Sequence, residues 1–387
     1  MSLGIDKSTW QRVAFGDVVR NVNETVKDAG AGAIDRLIAM EHMDPGELKI
    51  ERWGDIANGT TFTRRVRPGQ TLFGKRRAYQ RKVAYAEFDA ICSGDIYTFE
   101  ADETRILGEF LPFLVQSDPF FDHALDTSAG SLSPRTNWRE LADFEFELPP
   151  LDEQKRIANL VWSVERHRQA VRGQAAGAEK LAEEVFSTEL ATAPAERVAL
   201  PKLLKEVTVG VVVRPTQYYT NDPAGVPALR GLNIAPGGFD LADLVRFRPE
   251  SASALKKSTL VSGDVAIVRT GRPGDAAVVT DDVAGFNCID LIIARPGPEL
   301  VAGFLTLFLN STYGRAQIAR LSAGTAQQHF NVGALKKLQI PHFSVEEQGE
   351  LIHRVELVRS TNSLSHAEAT QLRRLRNAIL AETLGGN

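Results

Sequence analysis

Apolar and small side chains recur at alternating steps of four and three residues through a stretch that begins at Leu151 and ends near Leu190. This spacing is typical of a helix that packs lengthwise against another helix. One charged residue, Arg168, interrupts the series. The positions of the series, called the seam below, are Ile157, Val161, Val164, Val171, Ala175, Ala178, Ala182 and Val185. We predict a helix of about 38 residues, roughly 57 Å long at 1.5 Å per residue.

The same pattern returns near the C-terminus. A shift of 194 residues carries Glu153 and Gln154 onto Glu347 and Gln348. The same shift carries five seam positions onto Leu351, Val355, Val358, Ser365 and Ile379. We therefore predict two long helices, each closing one half of the chain, which pair as an antiparallel coiled coil with pseudo-two-fold symmetry.

The repeat extends beyond the helices. The 194-residue shift maps the Ser-Ala-Gly at 128–130 onto that at 322–324, and Asn137 onto Asn331. Nearer each start, an offset of 191 sets IAMEHMDPG over LRGLNIAPG. Because self-similarity over half a chain indicates an internal repeat, we predict a tandem duplication of a globular domain followed by a helix. The predicted segments are 1–150 (domain 1), 151–193 (helix 1), 194–343 (domain 2) and 344–387 (helix 2).

Each globular half is predicted to be α/β (α+β), with short strands bounded by Pro, Gly and Asp. The predicted strands are residues 51–63, 69–73, 82–85, 94–99, 264–269, 276–280 and 290–294, and the predicted helices are residues 108–116, 119–125 and 300–321. A proline precedes each long helix and ends the domain before it. We predict that Asp152 caps the first long helix, and that Ser344 with Glu347 forms a capping box on the second.

Composition indicates a globular chain with room for two domains. The chain has 387 residues, of which 43% are hydrophobic, and its net charge is −4. It has no apolar run long enough for a membrane span and no signal peptide, and its low cysteine content predicts a reducing, cytoplasmic environment. Its two cysteines, Cys92 and Cys288, occupy equivalent apolar runs and are interpreted as small buried hydrophobic residues. Because the net charge is negative, any nucleic-acid binding must come from local basic patches.

The usual signatures of catalysis are absent from the sequence. The chain has no phosphate-binding glycine loop, no His/Cys cluster at metal-ligand spacing and no adenine-methyltransferase tetrad of Asn or Asp, two prolines and an aromatic residue. Asp44 with Glu47 and Lys49 is only loosely similar to a nuclease triad, and its carboxylates lie too close together in sequence. We predict no catalytic, cofactor or metal site in this chain.

A basic tract at residues 56–86 is the first candidate binding surface. It contains no acidic residue, and Phe73 and Tyr79 lie among its cations. These cations are Arg64, Arg65, Arg67, Lys75, Arg76, Arg77, Arg81 and Lys82. A concentration of positive charge such as this binds the phosphate backbone of DNA, and arginine can also bind guanine edges through two hydrogen bonds. The alternative is a solvated face of a strand hairpin. In the second half, Arg269 and Arg272 lie in a glycine-flanked loop that is a weaker candidate.

The polar segment after each Ser-Ala-Gly is the second candidate surface. The two segments differ in sequence, as readers of different bases would. The candidate residues are Ser131, Arg135 and Asn137 in the first half, and Thr325, Gln327, Gln328 and His329 in the second. An ordinary variable turn, with Asn137 and Asn331 as shared turn residues, is an equally good interpretation.

Taken together, the chain resembles the specificity subunit of a type I restriction-modification system. The motifs that carry the resemblance are ELPPLDEQKRIANLV, IPHFSVEEQGELI, IAMEHMDPG, LRGLNIAPGGFDL and SAGTAQQHFNV. The resemblance implies two target-recognition domains, each reading one half of a bipartite double-stranded DNA site. The helices would set the distance between half-sites and dock two methyltransferase subunits. The second turn departs from the Pro-Pro-Leu pattern, with His342 and Phe343 after its proline.

The resemblance also implies where the chemistry takes place. S-adenosylmethionine would be bound by the methyltransferase partners, and ATP with Mg²⁺ by restriction subunits if these are present. No cofactor is expected in this chain. Two other functions stay open from the sequence: a non-catalytic protein-interaction scaffold, and the specificity subunit of a related methyltransferase-based defence system.

Overall fold

The structure is a computed structural model that describes residues 6–26, 34–130, 133–322 and 329–385. The chain forms two compact units: unit 1 contains residues 1–171 and 367–387, and unit 2 contains residues 172–366. The units differ from the four predicted consecutive segments, because both unit boundaries lie inside long helices. Each long helix therefore contributes one part to each unit.

Short strands and short helices precede the first long helix in unit 1. The strands are β1 (Gln11–Ala14), β2 (Val19–Val22), β3 (Arg36–Ile38), β4 (Gly54–Asp55), β5 (Arg64–Val66), β6 (Thr71–Gly74), β7 (Val83–Tyr85), β8 (Ala90–Cys92), β9 (Ile96–Ala101) and β10 (Glu145–Leu148). The helices are α1 (Leu111–Gln116), α2 (Asp118–Asp126), α3 (Trp138–Ala142) and α4 (Leu151–Thr192).

Two four-stranded sheets form the globular part of unit 1. One is antiparallel with strand order β2-β9-β6-β7, and the other is mixed with order β4-β3-β8-β5. In the mixed sheet β3 and β8 run parallel, with Leu37 opposite Ile91 and Ile38 opposite Cys92. The antiparallel β1–β10 pair brings the N-terminal segment beside the strand that leads into α4. A core rich in phenylalanine, including Phe15, fills the space between the first sheet, α1–α3 and α4.

The element order of unit 1 returns in unit 2, with extra short strands. The strands are β11 (Arg197–Ala199), β12 (Leu204–Val209), β13 (Tyr219–Thr220), β14 (Val226–Leu229), β15 (Ile234–Ala235), β16 (Gly238–Phe239), β17 (Val245–Phe247), β18 (Val265–Val268), β19 (Ala276–Val278), β20 (Asn287–Cys288), β21 (Leu291–Pro296) and β22 (Gln339–Pro341). The helices are α5 (Pro249–Ala254), α6 (Ala302–Asn310), α7 (Thr312–Ser322), α8 (Val332–Leu335) and α9 (Val345–Leu384).

The antiparallel sheet of unit 2 repeats that of unit 1, whereas the mixed sheets, β4-β3-β8-β5 and β13-β17-β14-β20, share three equivalent strands and differ in the position of the fourth. The order β12-β21-β18-β19 corresponds strand for strand to β2-β9-β6-β7, and β11 pairs with β22 as β1 does with β10. In the second sheet, β14 and β20 run parallel with Leu229 opposite Cys288, as Ile38 lies opposite Cys92 in unit 1. The predicted duplication and mixed α/β fold class are therefore confirmed.

One buried glutamine at the start of each long helix joins that helix to its globular part. The Gln154 side chain accepts from the backbone N–H of Leu107 (2.8 Å) and donates to the carbonyls of Arg105 (2.9 Å) and Pro149 (2.8 Å). Its counterpart in the second half of the chain is Gln348. That side chain accepts from Val301 (2.8 Å) and donates to Glu299 (2.8 Å) and Phe343 (2.9 Å). Each of these partners is related to its counterpart by the same sequence shift that relates the two glutamines.

Within each unit the segments of α4 and α9 run antiparallel. In unit 1, Glu165 lies 3.3 Å from Arg376, and His167, farther along α4, lies 3.1 Å from Glu368, which is earlier in α9. In unit 2, Glu189 of α4 pairs with Arg354 at 3.4 Å. The predicted pairing of two long helices is thus present in both units.

The predicted seam is correct as far as Ala175 and wrong beyond it. Ala178 and Val185 are exposed and Ala182 is half-buried, whereas Phe186 and Leu190 are buried. In this part α4 also packs against the globular part of unit 2, where the ring of Phe186 meets that of Phe304 edge-on at 6.2 Å. The buried face therefore moves away from a strict heptad, whose period differs from the 3.6 residues of a straight helix.

Some local predictions were wrong. Residues 51–63 form only the two-residue strand β4 and a short 3-10 turn at Ile56–Asn58. The predicted helix at 300–321 is two helices, because Ser311 ends α6 in an extended conformation. Asp152 lies within the first turn of α4 and does not cap it. The capping box at α9 is confirmed, since Ser344 N donates to Glu347 (2.7 Å) and Glu347 N donates to Ser344 Oγ (3.2 Å).

Candidate nucleic-acid interface

The two candidate surfaces of the first half meet in one place, here called loop cluster 1 (residues 75–77, 93–95 and 133–136). The backbone N–H of Arg77 donates to the carbonyl of Pro134 (2.8 Å), and that of Thr136 donates to the carbonyl of Lys75 (3.0 Å). Arg76 and Arg135 form an isolated antiparallel bridge. The loop after β6 and the polar segment before α3 are therefore joined through their backbones, although they lie far apart in sequence.

The corresponding loops of unit 2 meet in the same way, and we call them loop cluster 2 (residues 269–272, 289–290 and 329–330). The N–H of Phe330 donates to the carbonyl of Arg269 (2.9 Å), and this bond is the equivalent, under the repeat, of the bond from Thr136 to Lys75. An Arg269 guanidinium nitrogen also lies 2.7 Å from Nε2 of His329. The fold therefore brings together Arg269 and His329, which the sequence placed on two separate candidate loops.

One carboxylate organises loop cluster 1. Asp95, in the turn between β8 and β9, lies 3.5 Å from the Arg76 guanidinium and 3.1 Å from that of Arg135. Arg135 is more than half exposed (57%), and the side chain of Arg76 is 42% exposed. Both guanidinium groups are thus positioned by the protein while part of their surface stays open to a ligand.

Two further cations lie beside this ion group, around the ring of Tyr97. The Lys75 ammonium is 4.8 Å from the ring centroid and the Arg64 guanidinium is 5.8 Å from it. Arg64 also donates to the carbonyl of Ile96 (2.6 Å). Burial of Lys75, and next the charge of Arg64, lower the pKa of the Lys75 ammonium. Because several cations share the single carboxylate Asp95, this cluster offers net positive charge to an anionic ligand.

Loop cluster 2 is also organised by a carboxylate, but its other groups differ. Asp290 accepts from the Arg269 guanidinium (2.5 Å) and from the Thr270 hydroxyl (3.0 Å). Its backbone is left-handed, with φ of 51°. Arg269 is only 13% exposed, and His329 contacts it. This cluster therefore presents a hydroxyl and an imidazole beside a mostly buried arginine, where loop cluster 1 presents exposed guanidinium groups.

An open groove of about 510 Å³ lies over loop cluster 2 and is lined partly by Arg230, Leu232, Thr270 and Arg272. Arg272 donates to the carbonyl of Ile234 (2.6 Å) with one guanidinium nitrogen, so its orientation is fixed. Leu232 is 52% exposed. The groove combines an apolar side chain with polar and cationic groups, a set that can contact both the edge of a base and the backbone of a nucleic acid.

The rest of the basic tract is spread over other parts of unit 1. Arg65 pairs with Asp89 (2.9 Å) and Arg67 with Glu24 (2.8 Å). The hydrogen bond from Arg67 and the charges of Arg67 and Arg65 lower the pKa of Glu24. No acidic residue interrupts the tract in sequence, yet the fold brings these carboxylates to it from other segments. Arg65 and Arg67 are therefore internally neutralised.

Two cations at the end of the tract also have internal partners. Arg81 pairs with Asp118 (2.5 Å) and stacks over the ring of Phe121 at 4.5 Å. Lys82 donates to the carbonyl of Met40 (2.6 Å). Arg77 differs from them, since its side chain is exposed and its backbone, with φ of 57°, is held in the left-handed region.

Several predicted residues of the polar segments lie outside the described residues, namely Ser131, Thr325, Gln327 and Gln328. The two asparagines that follow these segments can be compared. Asn331 caps α8, because its side chain accepts from the N–H of Ala334 (2.9 Å). Asn137 occupies the same position before α3 but makes no side-chain capping bond there, and it is exposed. The turn-residue interpretation thus fits Asn331, whereas the Asn137 amide is open to a ligand.

Sequence reasoning missed the two carboxylates that organise the clusters, Asp95 and Asp290. A signal was available, because each acid follows shortly after one of the two cysteine-bearing strands, which end at Cys92 and Cys288. Both cysteines are buried, and burial raises the pKa of the Cys92 thiol to about 12. The interpretation of the cysteines as buried apolar residues is confirmed. Because the two cysteines lie in equivalent strands, the acids that follow them could have been predicted to lie at equivalent sheet edges of the two units.

Within the described ranges, no group of three or more His, Cys, Asp or Glu side chains has an arrangement that could bind a metal ion. The described helices also include none that combines the length and apolar character of a membrane span.

The sequence and the fold of this chain are similar to those of known proteins. Residues 61–170, which include loop cluster 1 and the first part of α4, match the family described as type I restriction modification DNA specificity domain. Among curated proteins, the chain is similar to the specificity subunit of the type I restriction enzyme EcoBI from Escherichia coli. The two are 26% identical over 309 residues, which cover 69% of this chain and 65% of that subunit. The resemblance predicted from the motifs is confirmed.

Solved structures support the fold over the whole chain. A chain from a structural study of complex assembly and conformational transition of the type I R-M system covers 97% of this chain and 98% of its own length, with a TM-score of 0.59 at 20% identity. The type I restriction-modification S subunit from M. genitalium covers both chains fully, with a TM-score of 0.53 at 12% identity. At these identities the likeness concerns the fold alone.

Proposed function

We propose that this chain is the DNA-specificity subunit of a type I restriction-modification complex, and that each unit reads one half of a bipartite target in double-stranded DNA. The observation that carries the proposal is the recurrence of one loop cluster in each unit, at equivalent positions and with different side chains. Two loop clusters with the same backbone arrangement and different side chains suit the recognition of two different half-sites.

Within each cluster, some side chains can contact the phosphate backbone of DNA and others can contact the edges of its bases. Arg76, Arg77 and Arg135 are at least partly exposed and can bind phosphates or the O6 and N7 acceptors of guanine. In unit 2, Thr270 and His329 provide smaller polar groups, which suit a different base sequence. Arg65 and Arg67 make a smaller contribution to binding, because carboxylates already neutralise them.

The proposal includes partners that supply the chemistry. Two methyltransferase subunits, which bind S-adenosylmethionine, dock on the long helices, and restriction subunits that use ATP and Mg²⁺ join where the host encodes them. The chain itself is non-catalytic and needs no cofactor. It works in the cytoplasm, on the nucleoid, and without a membrane partner.

Methylome sequencing of the host with and without this chain tests the proposal most directly. The expected result is loss of adenine methylation at one split motif with a non-specific gap. A continuous motif, or an unchanged methylome, would contradict the proposal. The purified complex should also retard duplexes that carry the motif, and Arg76→Ala with Arg77→Ala should weaken this binding. Lys180→Ala, which removes an exposed cation of α4 in unit 2, is the matched control.

A second test concerns the helices as spacers. Insertion or deletion of one helical turn between Gly173 and Gly177 should change the gap between half-sites and leave both half-site sequences unaltered. The site is suitable because an added Cβ at either glycine would meet nothing within 4 Å. An altered half-site sequence would show that the helices do more than set a distance.

A further inference from the structure

A second basic surface of unit 1 lies next to loop cluster 1. It is a groove of about 560 Å³ between the last turns of α9 and the globular part. We call it the α9 groove, and its lining includes Tyr79, Arg81, Asp118, Arg373, Arg374 and Asn377.

The charge of the α9 groove is strongly positive. Asp118 is the acidic side chain among the described residues of its lining, and Arg81 already neutralises it. Arg373 and Arg374 are exposed and form no ion pair with any residue that the structure describes. Arg376 points inward, to the Gly46 carbonyl (2.9 Å) and to Glu165 (3.3 Å). The groove therefore presents two unneutralised guanidinium groups to solvent.

The equivalent groove of unit 2 is smaller and differs in charge. It measures about 210 Å³, and its lining includes Glu179 and Glu183 with Arg315 and Arg359. Glu183 lies at the position of Asn377 and accepts from the N–H (2.7 Å) and the hydroxyl (2.8 Å) of Thr312 at the start of α7. These bonds hold the Glu183 carboxylate against the start of α7. In unit 1 the acids are replaced by Arg373 and Asn377, and the groove is larger.

We infer that the α9 groove binds the phosphate backbone of DNA beside the half-site that loop cluster 1 reads, and that the corresponding groove of unit 2 does not. The two surfaces are continuous in the chain, because residues 76–77 belong to loop cluster 1 and residues 79–81 line the groove. Tyr79 is 55% exposed and can donate its hydroxyl to a phosphate. The inference rests on the proposed DNA-recognition function and adds contacts that carry affinity without sequence preference.

An acidic segment of a partner protein would also be attracted by these arginines. DNA is favoured because the groove joins the loop that carries Arg76 and Arg77, so that one continuous anionic strand can contact both surfaces. A bound peptide would have no reason to share residues 79–81 with the DNA-reading loop. DNA binding and assembly with the methyltransferase partner, measured on the same variants, separate the two ligands.

The test uses the purified full chain with two duplexes: one that carries the target found by methylome sequencing, and one with both half-sites scrambled. Dissociation constants are measured by fluorescence anisotropy over a range of salt concentrations. For Arg373→Ala with Arg374→Ala, the slope of log K against log salt should decrease in magnitude by about 2, because each phosphate contact contributes about 0.9 to that slope. The preference for the target over the scrambled duplex should not change.

Two controls accompany this test. The double variant Arg373→Lys with Arg374→Lys keeps both charges and should keep the salt slope. Lys180→Ala with Arg354→Ala removes exposed cations from the helix segments of unit 2 and should leave binding unchanged. A circular dichroism melt of each variant reports whether it is folded.

An unchanged salt slope in the alanine variant would overturn the inference. So would a variant that binds DNA normally but no longer assembles with its methyltransferase partner, since the groove would then bind protein. If the wild-type chain, alone and with that partner, does not prefer its target, the proposed function itself fails. That result is distinguishable, because it needs no variant of the α9 groove.

Discussion

The two units have the same hydrogen bonds where each long helix joins its globular part, but different charges where the helices pair. Gln154 and Gln348 each bond to three equivalent backbone atoms, and the corresponding bonds have closely similar lengths. By contrast, unit 1 contains a buried ion group, whereas Glu179 of unit 2 is 56% exposed and lies 4.0 Å from Arg359. The hydrogen bonds at the junction are thus the same in both halves of the duplicated chain, whereas the charges between the paired helices differ.

The buried ion group of unit 1 joins both long helices to the loop at residues 45–47. Glu165 is fully buried, between Arg168 (2.5 Å) and Arg376 (3.3 Å), and Arg168 also contacts Glu47. Burial alone would raise the pKa of Glu165, but the hydrogen bonds and charge of Arg168, with the charge of Arg376, hold that pKa below its usual value. Arg168, an interruption of the predicted seam, is thus part of the packing.

The largest effect is expected from removing the buried carboxylate. Glu165→Ala leaves Arg376 buried without its ion-pair partner, which should cost about 3–5 kcal/mol of unfolding free energy. Glu179→Ala in unit 2 is the matched control and should cost less than about 0.5 kcal/mol because that carboxylate is exposed. Urea unfolding followed by tryptophan fluorescence measures unit 1 specifically, because Trp10, Trp53, Trp138 and Trp162 all lie in it, and circular dichroism measures the loss from Glu179→Ala in unit 2. Equal losses from the two variants would contradict the difference between the buried ion group of unit 1 and the exposed ion pair of unit 2.

A smaller and symmetric effect is expected at the two glutamines. Gln154→Ala and Gln348→Ala each leave one buried N–H and two carbonyls without their partner, which should cost about 2–3 kcal/mol in the unit concerned. Fluorescence should detect the loss for Gln154→Ala, whereas circular dichroism is needed for Gln348→Ala. If one variant is neutral, the junction of that unit is held by other contacts, and the equivalence of the two junctions fails.

Specificity should change in one half-site at a time. Asp95→Asn removes the charge that positions Arg76 and Arg135, and Asp290→Asn removes the partner of Arg269. Each should lower discrimination by about 1 kcal/mol, or roughly fivefold, at the half-site of its own unit. Competition with duplexes mutated in one half at a time measures this. Effects of both variants on the same half-site would contradict the assignment of one cluster to each half.

The smallest effect is a pH dependence that is specific to unit 1. Because the folded-state pKa of Glu165 is depressed, its stabilising contribution is present above its unfolded pKa of about 4.3 and is lost as pH falls through the folded value. The unfolding free-energy difference between wild type and Glu165→Gln should therefore be constant near neutral pH and shrink in acid. Tryptophan fluorescence at several pH values measures it. A difference that grows in acid would show that Glu165 is protonated in the folded state.

The duplication, the two long helices and the mixed α/β class could be predicted because they depend on patterns along the chain. A constant shift between the halves and a three-and-four spacing are visible without coordinates, and the roles of Gln154 and Gln348 follow the same shift. The break at Ser311 and the exposure of Val185 could not be predicted. Each depends on what a distant segment places against the helix.

The candidate interface was likewise predictable only in part. Which residues carry charge was known from the amino-acid sequence, which also predicted the basic tract and the polar segments at 131–137 and 325–331 as candidate surfaces. The folded structure was needed to show that Arg76 and Arg135 share Asp95, that Arg65 and Arg67 are neutralised by distant carboxylates, and that Arg373 and Arg374 stay exposed. The physical reason is that electrostatic interaction depends on distance in space. A tract without an acidic residue is therefore not yet a positive surface, and the fold determines which of its charges remain available to DNA.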